Sequence, residues 1–137
     1  MYDILKAICT AENFPFVYAR RDFQNLYNEV EQKNVPHLFL DPVIIEDVVN
    51  DMNVVEGKIY SGDFMVLVSS DIDEESYDAR YQNHIKPLID SAVATIKETI
   101  RCGKEVTFNI WRTVEVINAF DYNFDGLIVS YNITIEE

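Results

Sequence analysis

The sequence predicts an α+β fold: a mostly antiparallel sheet packed by two or three helices, with a long C-terminal β-hairpin. Three observations predict it. Apolar and polar residues alternate through 106–116 and again through 127–135, the period of two that a half-buried strand requires. Ile85, Leu88, Ile89, Ala92, Val93, Ile96 and Ile100 recur at helical spacing. Between them in character lies 64–68, Phe-Met-Val-Leu-Val, which is apolar on both faces like an inner strand. The chain has 137 residues, 48% of them hydrophobic and 12% aromatic. That length serves one core, whereas two domains would each be marginal. No repeat, linker or low-complexity tract interrupts it, so a single domain over 1–137 is expected.

Taken in order, residues 2–11 read as a short helix with Ile4, Leu5 and Ile8 on one side, stopped by Asn13-Phe14-Pro15. Residues 16–19 are aromatic and β-branched, a short strand. Asp22 caps a helix whose apolar residues Phe23, Leu26, Tyr27 and Val30 fall at i, i+3, i+4 and i+7, ending near Asn34. Residues 35–40 form a strand bounded by Pro36 and Pro42, and two prolines so close place it at a sheet edge. The stretch 43–53 fits helix or strand. Lys58-Ile59-Tyr60 and 64–68 are strands separated by a Ser-Gly-Asp break at 61–63. The long amphipathic helix runs over about 81–101, with Pro87 in its first turns, Arg101 near its negative end and Gly103 just past it.

The net charge of −13 is unevenly spread. Residues 41–78 hold eleven acids and one base, Lys58, for −10. Such a surface repels phosphates, so nucleic-acid binding is disfavoured, although DNA could slide past it without adhering. No apolar run is long enough for a membrane helix, and the N-terminus lacks the basic-then-apolar pattern of a secretory signal. Cys9 and Cys102 have no metal-spaced neighbours and read as buried or half-buried free thiols.

Two motifs invite a chemical reading. Residues 121–126, Asp-Tyr-Asn-Phe-Asp-Gly, match the first half of a calcium loop. The twelfth position, where a bidentate Glu belongs, is Asn132 within an alternating strand. Asp-Gly between two strands is itself a hairpin signal, so a turn over 121–126 is expected and no metal site. Asp71 and Asp73 follow an apolar strand, where phosphoryl-transfer enzymes place nucleophiles or Mg²⁺ ligands. Those enzymes also need a phosphate-binding base, and the nearest here are Lys58 and Arg80, with no glycine-rich loop. A solvated loop leading into a helix N-terminus is the plainer reading of these acids. Ser69, Ser70, His37 and His84 lack a nucleophile context. Trp111 and Arg112 on a strand could stack a base or sugar, but core or interface packing is commoner. No catalytic residue and no cofactor are implied.

The helix at 2–11, strand 64–68, helix 81–101 and paired strands 106–120 and 127–135 together resemble the small neck and tail-completion proteins of tailed bacteriophages. The tail-terminator group is the nearest. The resemblance spans most of the chain and implies a structural, ring-forming protein of the virion, assembled in the host cytoplasm. Its partners would be further copies of itself and neighbouring virion proteins. The hairpin or a sheet edge would make the subunit contacts, with Tyr60, Trp111, Tyr122 and Phe124 as candidate oligomer contacts. The acidic segment would face a lumen traversed by DNA, or solvent. The alternatives are a small cytoplasmic protein- or ligand-binding module and, third, a Mg²⁺-dependent enzyme using Asp71 and Asp73. The hairpin strands exceed what closure of a small domain needs, so part of the hairpin is expected to project or to offer an edge.

Overall fold

The structure, a computed structural model, describes residues 1–18, 35–69, 76–103, 105–119 and 124–136. Helix α1 (Tyr2–Glu12) buries Leu5, Ile8 and Cys9. Asn13 ends it in the left-handed conformation, with φ 57°, and the Phe14 N–H returns to the Cys9 carbonyl at 2.8 Å. Asparagine tolerates that conformation because its short side chain is polar, which is why the helix stops before Pro15 is reached. Six strands follow: β1 (Phe16–Tyr18), β2 (His37–Leu40), β3 (Ile44–Val49), β4 (Val55–Ser69), β5 (Val106–Ala119) and β6 (Phe124–Glu136). They form one sheet in the order β1-β2-β4-β6-β5, with β3 also paired to β4 below β2. The β1–β2 pair is parallel and every other pair antiparallel. The α+β expectation therefore holds. The helix expected over 22–34 lies outside the described residues.

A second helix, α2, covers 77–103 in three segments: α over Tyr77–Arg80, π over Tyr81–Ile89 and α over Asp90–Gly103. Ser76 caps it, its Oγ accepting from the Ala79 N–H at 3.3 Å. The helix starts about four residues earlier than its apolar spacing suggests, so Pro87 lies well inside it. Proline has no N–H for the carbonyl four residues back and crowds that carbonyl; the surrounding turns widen into π geometry instead of breaking. Ile89, Ala92, Val93, Ile96 and Ile100 then lie with α1 on one face of the sheet, against Leu38, Phe64, Val66, Val129 and Ile133. The opposite face carries a smaller cluster of Phe39, Met65, Leu67 and Phe124.

Several expectations change. Strand β2 is interior, flanked by β1 and β4, because Pro36 and Pro42 fall just outside the four paired residues and cost no ladder bond. The ambiguous block 43–53 contains β3 and a turn at 51–53. Strand β4 is continuous through Ser61-Gly62-Asp63, and what changes there is its neighbour. Leu40 pairs with Phe64 and Ile44 with Ser61, so β2 gives way to β3 across a kink at Asp41-Pro42-Val43. Gly62 has φ +151°, open to glycine but not to other residues, and a Cβ there would sit 3.4 Å from the Tyr131 Oη.

The C-terminal hairpin is longer than its alternation indicates, at 14 and 13 residues. Asp125 and Gly126 are strand residues, paired with Val68 and Leu67, so they do not form the turn. Gly126 is required for close approach: a Cβ would collide with the Val66 carbonyl oxygen and lie 2.9 Å from Leu67 Cα. Simple alternation also fails in β5. Phe108 pairs with Ile133 and Ile110 with Asn132, leaving Asn109 as an extra, bulged residue. Its Nδ2 donates to Asn132 Oδ1 and Thr134 Oγ1, each at 2.9 Å. The bulge turns Trp111 towards Phe64 and Phe108 on the helix side and leaves Ile110 and Val114 exposed on the other face. Cys9 is buried, which raises its thiol to about 11, whereas Cys102 is exposed.

Candidate interaction surface

Among the described residues, the buried polar side chains His37, Ser69, Arg80 and Asp125 gather at one end of the sheet, where β4 ends and β2 and β6 begin. Arg80 and Asp125 are 4% and 0% exposed, with Nη1 3.7 Å from Oδ1. Asp125 pairs across with Val68, on the helix side, and Arg80 comes from the first turn of α2. The contact therefore ties α2 to β6. The His37 ring lies near Phe39 and Phe124, at centroid distances of 6.4 and 5.7 Å. Its Nδ1 is 2.7 Å from the Val35 carbonyl oxygen, so it carries the proton and donates.

Burial lowers the His37 pKa, against the opposing pull of the Val35 hydrogen bond. A histidine that resists protonation when folded has no effect on stability above its unfolded pKa, where both states are neutral. Below about 6.5 the unfolded chain takes up a proton that the folded chain does not, so stability falls as the pH falls. Urea unfolding midpoints of the wild type and His37→Phe, compared between pH 7.5 and pH 5.5, should show a part of the acid loss that the variant lacks. Equal losses in both proteins would contradict this.

The bases nearest to Asp71 and Asp73 in sequence each face another acid. Lys58 Nζ is 3.9 Å from Asp47 Oδ1, and Arg80 faces Asp125. Asp71 and Asp73 lie outside the described residues. Among those described, no group of three or more His, Cys, Asp or Glu could hold a metal, and no helix is long and apolar enough to cross a membrane. Asp125, the second acid of the calcium-like motif, points into the interior beside Arg80. A groove of about 450 Å³ opens at the other end of the sheet, lined by Val48, Val55, Glu56, Gly57, Thr134 and Glu136. It lies far along β4 and β6 from the buried polar groups, so the two do not make one site.

The candidate oligomer contacts fall in different environments. Tyr60 is half-buried against the main core. Trp111 is half-buried too, with its ring 5.5 Å from Phe108 and 5.8 Å from Phe64, and Lys97 Nζ 5.8 Å from its centre. Phe124 is fully buried within the single chain, between Phe39 and His37. Its place in β6 follows from the strand beginning three residues before Leu127. Tyr122 lies outside the described residues.

The exposed apolar residues concentrate elsewhere. Ile44, Ile45, Val49, Met52 and Val54 are between 51% and 79% exposed, all on the β3–β4 hairpin. All of β3 is exposed except half-buried Val48. The hairpin turn is built by Asn50, whose Oδ1 accepts from the N–H groups of Met52 and Val54 at 2.9 and 3.0 Å and whose Nδ2 donates to Glu56 at 2.9 Å. Asn53 takes the left-handed conformation, with φ 58°. These bonds hold Met52 outward at the tip. Glu46, Asp47, Asp51 and Glu56 make the same hairpin acidic, with Lys58 as its one base. Such a surface was hidden in the sequence because Ile44-Ile45 and Val48-Val49 look like core residues. Among the described residues, β3 stands at a sheet edge, beyond the reach of α1 and α2. No protein-family model and no curated protein matches this sequence.

Proposed function

We propose that the chain is a structural assembly subunit without catalytic activity, which docks through its β3–β4 hairpin. The exposed apolar edge strand carries this reading. An edge strand that displays isoleucine and valine to solvent is a template for pairing, and proteins that stay apart blunt such edges. Burying one such side chain contributes about 1.5–3 kcal/mol, so a few together hold an interface. That Arg80 faces buried Asp125 favours assembly over phosphoryl chemistry at Asp71 and Asp73. In its specific form, taken from the resemblance to tail-terminator proteins, the assembly is a homo-oligomeric ring at a phage head–tail junction in contact with neighbouring virion proteins.

The test is light scattering across a concentration series on the wild type and on Ile44→Thr/Ile45→Thr/Val49→Thr. Threonine keeps the β-branched backbone preference, and exposed sites change stability little, by about 0.5 kcal/mol each. The wild type should exceed the 15.9 kDa monomer mass, and the variant should return to it with its thermal unfolding nearly unchanged. A monomeric wild type at every concentration, or a variant that assembles equally well, would overturn the reading.

A further inference from the structure

We infer that the partner of the β3 edge is the β5 edge of a second copy of this chain, joined as a continued antiparallel sheet. This rests on the assembly reading and specifies its occupant. Among the described residues, β3 is hydrogen-bonded as a strand only to β4, and β5 only to β6, so both present an open edge.

The two edges match in face, charge and direction. Ile44, Ser61, Asn132 and Ile110 are paired in one row across the sheet. Residues in one row share a face, and alternate residues along a strand share it too. Ile44, Glu46 and Val48 on β3 therefore lie on the same face as Ile110, Arg112 and Val114 on β5. Each edge thus displays an apolar–charged–apolar triplet, and the central charges are opposite. Apart from half-buried Val48, all six are exposed. Among the described residues, neither Glu46 nor Arg112 has an ion pair in its own chain. Direction agrees as well. Successive antiparallel pairs β3–β4, β4–β6 and β6–β5 make β3 and β5 run oppositely. A neighbour that continues the sheet with the same face and sense presents β5 antiparallel to β3.

With Glu46 opposite Arg112, antiparallel register sets Ile44 against Val114 and Val48 against Ile110. Like meets like at the flanks and opposite charges meet at the centre. The same register sets Val116 level with Pro42. That keeps the regular part of β5 below β1, which occupies the edge beside 38–40. A contact of this kind uses different surfaces on the two copies. It leaves one free β3 and one free β5 at the ends and propagates until it closes into a ring. The acidic hairpin explains why β3 does not instead pair with another β3, which would set Glu46 and Asp47 near their own copies.

Charge exchange tests the match. Glu46→Arg and Arg112→Glu, each alone, place like charges opposite and should weaken association by at least about tenfold at 0.15 M salt. Combined in one chain they restore the opposite pair and should recover wild-type association to within about threefold. Both sites are exposed, and circular-dichroism melts check that each variant folds. A double variant no better than the single ones overturns this inference. If the threonine hairpin variant still abolishes assembly in that case, the hairpin docks on some other surface and the assembly reading stands. A wild type that stays monomeric overturns both.

Discussion

Replacing Arg80 by Met should destabilise the fold by about 3–5 kcal/mol, the typical cost of leaving one member of a buried ion pair without the other. Arg80 is 4% exposed and Asp125 0%. With the guanidinium gone, the Asp125 carboxylate loses the cation that faces it in the interior, and the apolar side chain in its place does not compensate. Removing both charges behaves differently: Arg80→Met with Asp125→Leu replaces the pair by apolar volume and should recover much of the loss. Urea unfolding midpoints of the two single variants and the double variant measure this directly. A loss under about 1 kcal/mol for Arg80→Met would show that the ion pair does not tie α2 to β6 as described.

Gly126→Ala should be similarly damaging, at about 3 kcal/mol or more, or should prevent folding. The added Cβ would meet the Val66 carbonyl oxygen and Leu67 Cα, both backbone atoms of the strand at the centre of the sheet. A flexible side chain could swing away, whereas β4 can yield only by opening its ladder with β6 over residues on which both hydrophobic clusters depend. Gly103→Ala is the control. Nothing lies within 4 Å of a Cβ at Gly103, and alanine is the better helix former by roughly 1 kcal/mol. Thermal unfolding should separate the two by well over 10 °C. Equal melting temperatures would contradict the close approach at Gly126.

The elements with strong periodicity were legible in sequence: α1, the apolar core of β4, the amphipathic part of α2 and the two long C-terminal strands. What was not legible depends on neighbours. Pro36 and Pro42 mark an edge only if they fall inside the ladder, and they lie just outside it. Asp125-Gly126 has the composition of a turn, but Gly126 is needed because another backbone passes over it, a contact remote in sequence. Asn109 looks like one more polar member of an alternating strand. Only the register against β6 shows it as the bulge that turns Trp111 inward and Ile110 outward. The proposed interaction surface was half visible. The C-terminal hairpin was expected to project or offer an edge, and β5 does lie at an edge. The β3–β4 hairpin went unrecognised because Ile44-Ile45 and Val48-Val49 have core composition, and composition does not reveal which side of a sheet has been left uncovered.

The proposed docking edge is β3. Hydrogen–deuterium exchange of the peptide covering 44–49, at low and at high protein concentration, tests it most directly, because pairing protects amides that an open edge leaves to solvent. Protection should rise with concentration in 44–49 and in parallel over 110–114, while the amides of α2 stay unchanged. Exchange at 44–49 that is equally fast at both concentrations, in a protein that light scattering shows to be assembled, would contradict it.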